Sequence, residues 1–208
     1  MRYLILAFAF FIAMPSFAWA GSQRGTSIIP PGNYSLQQFA VQGFDPSLGT
    51  LERVTLRLTQ KTSYDFYLEN VGSASSCTVI WGGGSTSLTA LLEVSGPQLP
   101  GESAAPHLFH TQIDVGEFSQ TVGGPYDGTL DFSGASGGMV SYDPSPINLG
   151  VVYETANPSD LARWINSGWL IFQAMPQVSS GIFGGCGATN SIGFGETGGR
   201  LIVTYRYH

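Results

Sequence analysis

One alternating stretch, at residues 44–59, constrains what this chain can fold into more than any other. Val54, Leu56 and Leu58 fall on one face of an extended backbone, and charged or hydroxyl side chains fall on the other. Because successive side chains of a strand point to opposite faces, a period of two with one apolar face indicates a half-buried strand. An Asp-Pro turn at Asp45 precedes this strand. The stretch therefore predicts a sheet that covers a core on one side and meets water on the other.

The rest of the chain repeats this pattern at short intervals. Alternating segments are separated by turn residues, and the 208 residues include 28 glycines and 12 prolines. Short strands in this rhythm are typical of a sandwich rather than of strands alternating with helices. The sequence therefore predicts an all-β, single-domain antiparallel β-sandwich of about ten strands over residues 21–208.

Individual elements follow from local signals. Residues 21–32 are predicted to be an arm that joins a sheet edge, and residues 126–132 to be a short strand. Turns are predicted at 61–63 and through the glycine-rich segment 181–199. The last strand is predicted at 200–207, with its inward side chains at Leu201, Val203 and Tyr205.

One short helix is predicted after a strand-rich region. Asn157 can cap it, Pro158 suits its first position, and Asp160 favours the positive end of the helix dipole. We expect Leu161, Trp164 and Ile165 to share one face of the helix, which ends at Gly168.

The first twenty residues form a secretory signal pattern. Arg2 is followed by an apolar run to Met14, and Ala18-Trp19-Ala20 supplies small residues around a cleavage point. The run is shorter than the roughly 20 residues that a spanning helix needs. We expect residues 1–20 to be a signal peptide and the mature chain to be secreted or held at the cell surface, with the periplasm as an alternative.

Two cysteines, Cys77 and Cys186, are present. In an exported protein an even number of cysteines favours disulfide formation, and two cysteines allow one intramolecular pairing. The sequence therefore predicts a Cys77–Cys186 disulfide.

Charge limits the partners. Beyond residue 20 the chain holds seven Lys and Arg against fourteen Asp and Glu. So few basic side chains can neutralise only a small number of phosphates. The composition therefore argues against nucleic acid and anionic lipid surfaces as partners. A transmembrane segment is not expected in the mature chain, and the partner is expected to be a surface, a matrix or a glycan.

Four segments together resemble a known family, the choice-of-anchor E domain of exported bacterial β-rich proteins. The resemblance lies in residues 44–51, 131–138, 161–168 and 198–205. It implies export and surface association, and it carries no catalytic residues. Members often end in sorting signals; here no hydrophobic tail, basic cluster or sortase-type motif follows Tyr205, which predicts non-covalent retention or release.

Two motifs suggest enzymes but lack their context. Ser136 lies in a Gly-x-Ser-x-Gly pattern, and Asp160 and His208 would complete a hydrolase order, yet no helical pattern follows the serine. Residues 193–198 match Gly-x-Gly-x-x-Gly but precede a strand, so these glycines are interpreted as turn residues. No catalytic or cofactor-binding residue is therefore predicted.

Other candidate ligands give weak patterns. His107 and His110 have an odd spacing that sends strand side chains to opposite faces, so they are interpreted as surface residues. No cofactor is predicted, with calcium as an alternative at the acidic loops around Asp127, Asp131 and Asp143. Trp81, Trp164 and Trp169 could stack on sugars if they were exposed, but their neighbours are apolar, so they are predicted to pack in the core.

These patterns predict an exported, non-catalytic β-sandwich with a structural, adhesive or matrix role. A carbohydrate-binding module is the alternative, and a row of exposed aromatic rings on one sheet face would favour it. A serine hydrolase is the third hypothesis, and it requires Ser136, His208 and an acid to converge within hydrogen-bonding reach.

Overall fold

A computed structural model of the chain describes residues 20–82, 88–179, 181–185 and 189–208, with the backbone alone at 182–184. The predicted signal peptide and Cys186 therefore fall outside the described residues, Ala20 excepted. Within these residues there are twelve strands: β1 (Gly21–Gly32), β2 (Gln37–Gln42), β3 (Leu51–Asn70), β4 (Ser76–Trp81), β5 (Leu88–Ser95), β6 (His107–Gly116), β7 (Phe118–Gly123), β8 (Gly137–Tyr142), β9 (Ile147–Thr155), β10 (Trp169–Ser179), β11 (Ile182–Gly184) and β12 (Thr189–Tyr207).

The strands form three antiparallel sheets that pack as a β-sandwich. Sheet 1 has the order β1-β12-β3, and the other edge of β3 pairs with β9 along its first half and with β8 along its second half. Sheet 2 has the order β2-β10-β5-β6, and sheet 3 has the order β11-β4-β7. The predicted all-β sandwich is confirmed.

Strand β3 is the centre of sheet 1, and it is longer than the sequence predicted. Val54, Leu56 and Leu58 are fully buried, as expected. The predicted turn at residues 61–63 is wrong, because the strand continues unbroken and in the same phase to Asn70.

The strand stays in phase because its buried polar side chains find partners across the core. The Gln60 amide nitrogen donates to Thr197 Oγ1 at 3.2 Å, and Thr111 Oγ1 donates to Gln60 Oε1 at 2.9 Å. Thr62 Oγ1 lies 3.0 Å from the same Thr197 hydroxyl. Since buried polar groups are stable only when hydrogen-bonded, this network allows these four polar side chains to lie in the middle of the core, where they form a polar layer.

This polar layer separates two hydrophobic cores. One lies between sheets 1 and 2 and includes Val54, Leu56, Phe172, Val203 and Tyr205. The other lies under the second half of β3, between sheet 1 and the remaining strands, and includes Phe66, Trp81 and Val122. The smaller sheets therefore cover one face of sheet 1 and leave its other face outward.

Strand β12 contains the glycines that were predicted to form a turn. That prediction is wrong, because residues 193–198 pair along β3 within the strand. A Cβ added at Gly195 would lie 2.8 Å from the Tyr64 and Val178 side chains, and one added at Gly198 would lie 2.7 Å from the Ile29 carbonyl oxygen. The glycines therefore allow close approach of neighbouring chain segments. The inward placement of Leu201, Val203 and Tyr205 is confirmed.

The smaller elements agree in part with the sequence-based predictions. Residues 21–32 pair with β12 as a sheet edge, as predicted, whereas residues 126–132 form an exposed loop instead of a strand. The helix α1 (Pro158–Leu161) starts where expected, and the Asn157 side chain accepts from Ser159 N. A 3₁₀ turn, Ala162–Trp164, follows it. Leu161 and Trp164 are buried, whereas Ile165, which was predicted to share their face, is 45% exposed, since the chain straightens there to bridge Phe44.

Helices of the described residues are too short or too polar to cross a membrane.

Candidate binding face

The outward face of sheet 1 carries an aromatic cluster at the end that includes β8. Tyr67 lies between Met139 of β8 and Ile192 of β12 in direct register. The ring centroids of Phe132 and Phe194 lie 5.8 and 5.9 Å from that of Tyr67, with near-perpendicular planes. Phe194 is 60% exposed and Met139 is 59% exposed. We call these five side chains the aromatic cluster.

A groove of about 440 Å³ continues the same face toward the middle of the sheet. Ile28, Pro31 and Pro146 supply apolar walls. Charged side chains of Lys61, Glu196 and Arg200 also line it. The groove lies where β1 shifts its register against β12 between Ile29 and Gly32.

Basic side chains are concentrated on this face. Of the seven Lys and Arg beyond residue 20, six lie on the outward side of sheet 1: Arg24, Arg53, Arg57, Lys61, Arg200 and Arg206. Their side chains point outward because their strand neighbours of opposite parity, such as Val54 and Tyr205, are buried. The sequence reasoning noted the polar side of β3 but missed this grouping, which depends on the register between distant strands.

Two of these cations have acidic partners. Arg53 Nη1 lies 3.4 Å from Glu154 Oε1, and Lys61 Nζ lies 3.1 Å from Asp143 Oδ2. The other four, Arg24, Arg57, Arg200 and Arg206, form no ion pair with any residue that the structure describes. They form the arginine cluster of this face.

Beside the aromatic cluster lies a buried carboxylate, Glu69. Its residue is fully buried, and its two carboxylate oxygens accept no hydrogen bond from the described residues. The Oε2 atom would lie 2.5 Å from a Cβ added at Gly137, so it sits against the turn that enters β8. Ser136 Oγ in that turn is also buried without a hydrogen bond among the described residues.

Replacing this carboxylate is expected to stabilise the protein. Glu69→Gln keeps the shape of the side chain and replaces two buried carboxyl oxygens that have no hydrogen-bond partner among the described residues with a neutral amide. Leaving a buried polar group unsatisfied costs about 1–3 kcal/mol, and more where the group is charged. Its melting temperature at neutral pH should rise, as measured by circular dichroism. The control Glu196→Gln, which changes an exposed carboxylate of β12, should change stability by less than about 0.5 kcal/mol. A loss of stability in Glu69→Gln would contradict this expectation. If EDTA then lowers the melting temperature of wild type by the same amount as the substitution does, the result would assign Glu69 to a bound cation.

The hydrolase residues do not converge. The Ser136 carbonyl accepts from Asn70 N at 2.8 Å, whereas His208 N donates to the Thr50 carbonyl at 3.2 Å. These contacts lie at opposite ends of β3, which at about 3.3 Å per residue are on the order of 60 Å apart. His208 pairs with Glu52 instead, at 2.8 Å. Asp160 accepts from the Thr155 hydroxyl at 3.2 Å.

The other predicted ligands are also separated. Asp143 pairs with Lys61, whereas Asp127 and Asp131 accept from the backbone nitrogens of Thr129 and Ser133 in their own loop. Within the described residues there is no group of three His, Cys, Asp or Glu that could hold a metal ion. Calcium at these acidic loops stays an alternative prediction.

The histidines and tryptophans occupy surface and core positions. His107 and His110 are both exposed at the edge strand β6, and His110 Nδ1 lies 3.1 Å from Glu93. Trp81 and Trp164 are fully buried, as predicted. Trp169 is 63% exposed, so its predicted core position is wrong; the alternation of β10 buries its neighbour Leu170 instead.

Shifted pKa values arise away from the outward face. Burial raises the pKa of the Tyr205 hydroxyl well above its usual range. The hydrogen bond from Arg163 lowers the pKa of the Glu102 carboxyl, and the two side chains approach to 2.6 Å.

Comparison of the chain with models of protein families, with curated proteins and with solved structures finds no match. The resemblance to the choice-of-anchor E domain therefore stays a prediction.

Proposed function

We propose that this protein is an exported, non-catalytic β-sandwich that adheres to an extracellular surface or matrix through the outward face of sheet 1. The observation that carries the proposal is the exposed aromatic cluster, where Phe194 and Met139 are each more than half exposed on the two strands that flank β3. Large apolar side chains grouped on a solvent-facing sheet are typical of interaction sites. The signal pattern at residues 1–20 and the choice-of-anchor resemblance both favour export.

The rigidity of the face also supports adhesion. Tyr67, Ile192 and Met139 belong to strands that pair continuously with β3 or are part of it. A partner that binds them need not order a loop first, so less conformational entropy is lost on binding. The adjoining groove adds a concave surface with apolar walls and charged side chains.

A carbohydrate-binding module is favoured by one specific observation, the exposed ring of Phe194, two positions along β12 from Glu196 of the groove. An exposed aromatic ring can stack on the apolar face of a sugar. The Tyr67 and Phe194 planes meet at 85°, so these two rings form an edge-to-face pair and not a flat row. This geometry supports a single stacking position, with the groove as the neighbouring contact.

The adhesive role predicts that Phe194→Ser weakens retention. Insoluble extracellular material from the producing cells is mixed with purified protein, and the co-sedimenting fraction is measured. We expect the apparent affinity to fall about tenfold, as for an aromatic residue central to an interface. The matched control Ile171→Ser changes an exposed apolar residue of sheet 2 (54% exposed, against 60% for Phe194) and should be retained like wild type.

Two outcomes would contradict the proposal. Equal retention of Phe194→Ser and Ile171→Ser, with both folded by circular dichroism, would remove the aromatic cluster from the binding surface. Turnover of an ester or glycoside that is lost in Ser136→Ala with unchanged folding would contradict the non-catalytic part.

A further inference from the structure

We infer that the arginine cluster binds an acidic polysaccharide, a polymer that carries carboxylates and hydroxyls. This inference rests on the proposed function, because it names the partner of the same face. The binding surface consists of Arg24, Arg57, Arg200 and Arg206, which lie on β1, β3 and β12.

The register of the three strands places these cations close together. Arg206 lies directly opposite Arg53, and Arg24 is a diagonal neighbour of Arg206 on the adjoining strand. Arg57 lies opposite Ile202 and diagonal to Arg200. Directly opposite side chains have Cβ atoms about 5 Å apart and diagonal ones about 7–8 Å apart.

Like charges at these spacings repel each other, and this repulsion points to an anion. Opposed like charges destabilise a sheet, and of the five arginines in this region only Arg53 has an acidic partner among the described residues, Glu154. The overall formal charge is −6, so a positive face is not a consequence of composition. A bound polyanion would neutralise the four guanidinium groups of the arginine cluster together.

The side chains between the arginines suit a sugar polymer. Thr26, Thr55, Thr59 and Thr204 occupy outward positions among them. Hydroxyl groups can donate to and accept from sugar hydroxyls. The planar guanidinium fork matches a carboxylate with two parallel hydrogen bonds. Arginine and threonine positions thus complement a chain in which carboxylates alternate with hydroxyls.

A nucleic acid fits this surface less well. Duplex DNA carries about one charge per 1.7 Å, and its binding normally uses many phosphate contacts. The four arginines of the cluster, on a chain of net negative charge, would give weak binding to nucleic acid at physiological salt. A polymer of lower charge density matches the spacing of these arginines better.

The test measures binding of the mature protein to polygalacturonate, with dextran as the neutral polymer and a single-stranded oligonucleotide as the other polyanion. We expect wild type to bind polygalacturonate, not dextran, and to lose affinity between 20 and 200 mM NaCl, as ionic contacts predict. The double variant Arg57→Gln/Arg200→Gln should bind at least about tenfold more weakly, since each arginine makes a charge-assisted hydrogen bond.

A matched control separates the cluster from net charge. Gln38→Glu/Gln112→Glu makes the same change in net charge at exposed positions on the outward side of sheet 2. It should bind polygalacturonate within about twofold of wild type, because charges more than a Debye length away are screened. An equal loss in both double variants would overturn the assignment to the arginine cluster.

The remaining outcomes distinguish this inference from the proposed function. Absence of polygalacturonate binding, or tighter binding to the oligonucleotide, would overturn the acidic polysaccharide as partner. If Phe194→Ser still loses retention on extracellular material in that case, the proposed function stands and only its partner is wrong. If Phe194→Ser is also retained, the proposed function fails with it.

Discussion

Deletion of residues 200–208 is expected to abolish soluble folding. This segment lies between β1 and β3 and pairs with both, so its loss leaves two strands with unpaired backbone groups. It also removes Leu201, Val203 and Tyr205, which are fully buried between sheets 1 and 2. The soluble fraction after expression and export measures the effect. A truncated protein with an unchanged melting transition would show that the segment is peripheral.

A pair of point variants tests the same packing without truncation. Tyr205 is fully buried, and its hydroxyl donates to the Gln42 carbonyl at 2.8 Å. Tyr205→Ala should lose about 3–5 kcal/mol of unfolding free energy, as is typical of large aromatic truncations in cores. The neighbouring Arg206→Ala, on the outward side, should lose less than about 0.5 kcal/mol. Similar losses in both variants would contradict the inward placement of this strand.

Removal of the predicted Cys77–Cys186 disulfide is expected to have the second largest effect. The bridge would close a loop of more than 100 residues, which corresponds to about 4–5 kcal/mol in the chain-entropy description. Cys77 is buried on β4, and β11 pairs with β4 so that Gly184, two residues before Cys186, lies opposite Val79, two residues after Cys77. This register supports the pairing. Reduction should therefore lower the melting temperature by roughly 10 °C or more.

Three variants make this prediction decisive. Cys77→Ser, Cys186→Ser and the double variant should lose the same stability, because either single change breaks the one bridge. Thiol titration of the denatured, unreduced wild type should find no reactive thiol. Two reactive thiols, or additive losses in the double variant, would contradict the bridge.

Local chemistry made several elements predictable. The inward side of β3 at Val54, Leu56 and Leu58 followed from alternation alone, and the start of α1 followed from the capping residue Asn157 and the proline after it. Both signals act within a few residues, so the sequence contains the whole cause.

Other elements depend on contacts that are distant in sequence. The continuation of β3 past Gln60 requires partners at Thr111 and Thr197, which no local pattern identifies. Similarly, the local pattern of the β12 glycines predicts a turn. Their place in a strand is explained only by the close approach of Tyr64 and of the Ile29 carbonyl.

The sequence by itself determined an all-β chain and which side of each alternating strand is polar. Only the tertiary structure decided that the polar sides of β1, β3 and β12 coincide, with Arg206 opposite Arg53 and Arg24 nearby. The same applies to Phe132, which reaches Tyr67 from a loop that was predicted to be a strand. Alternation is a property of one strand, whereas a shared face requires the register between strands, and that register is fixed by packing of the opposite, buried side.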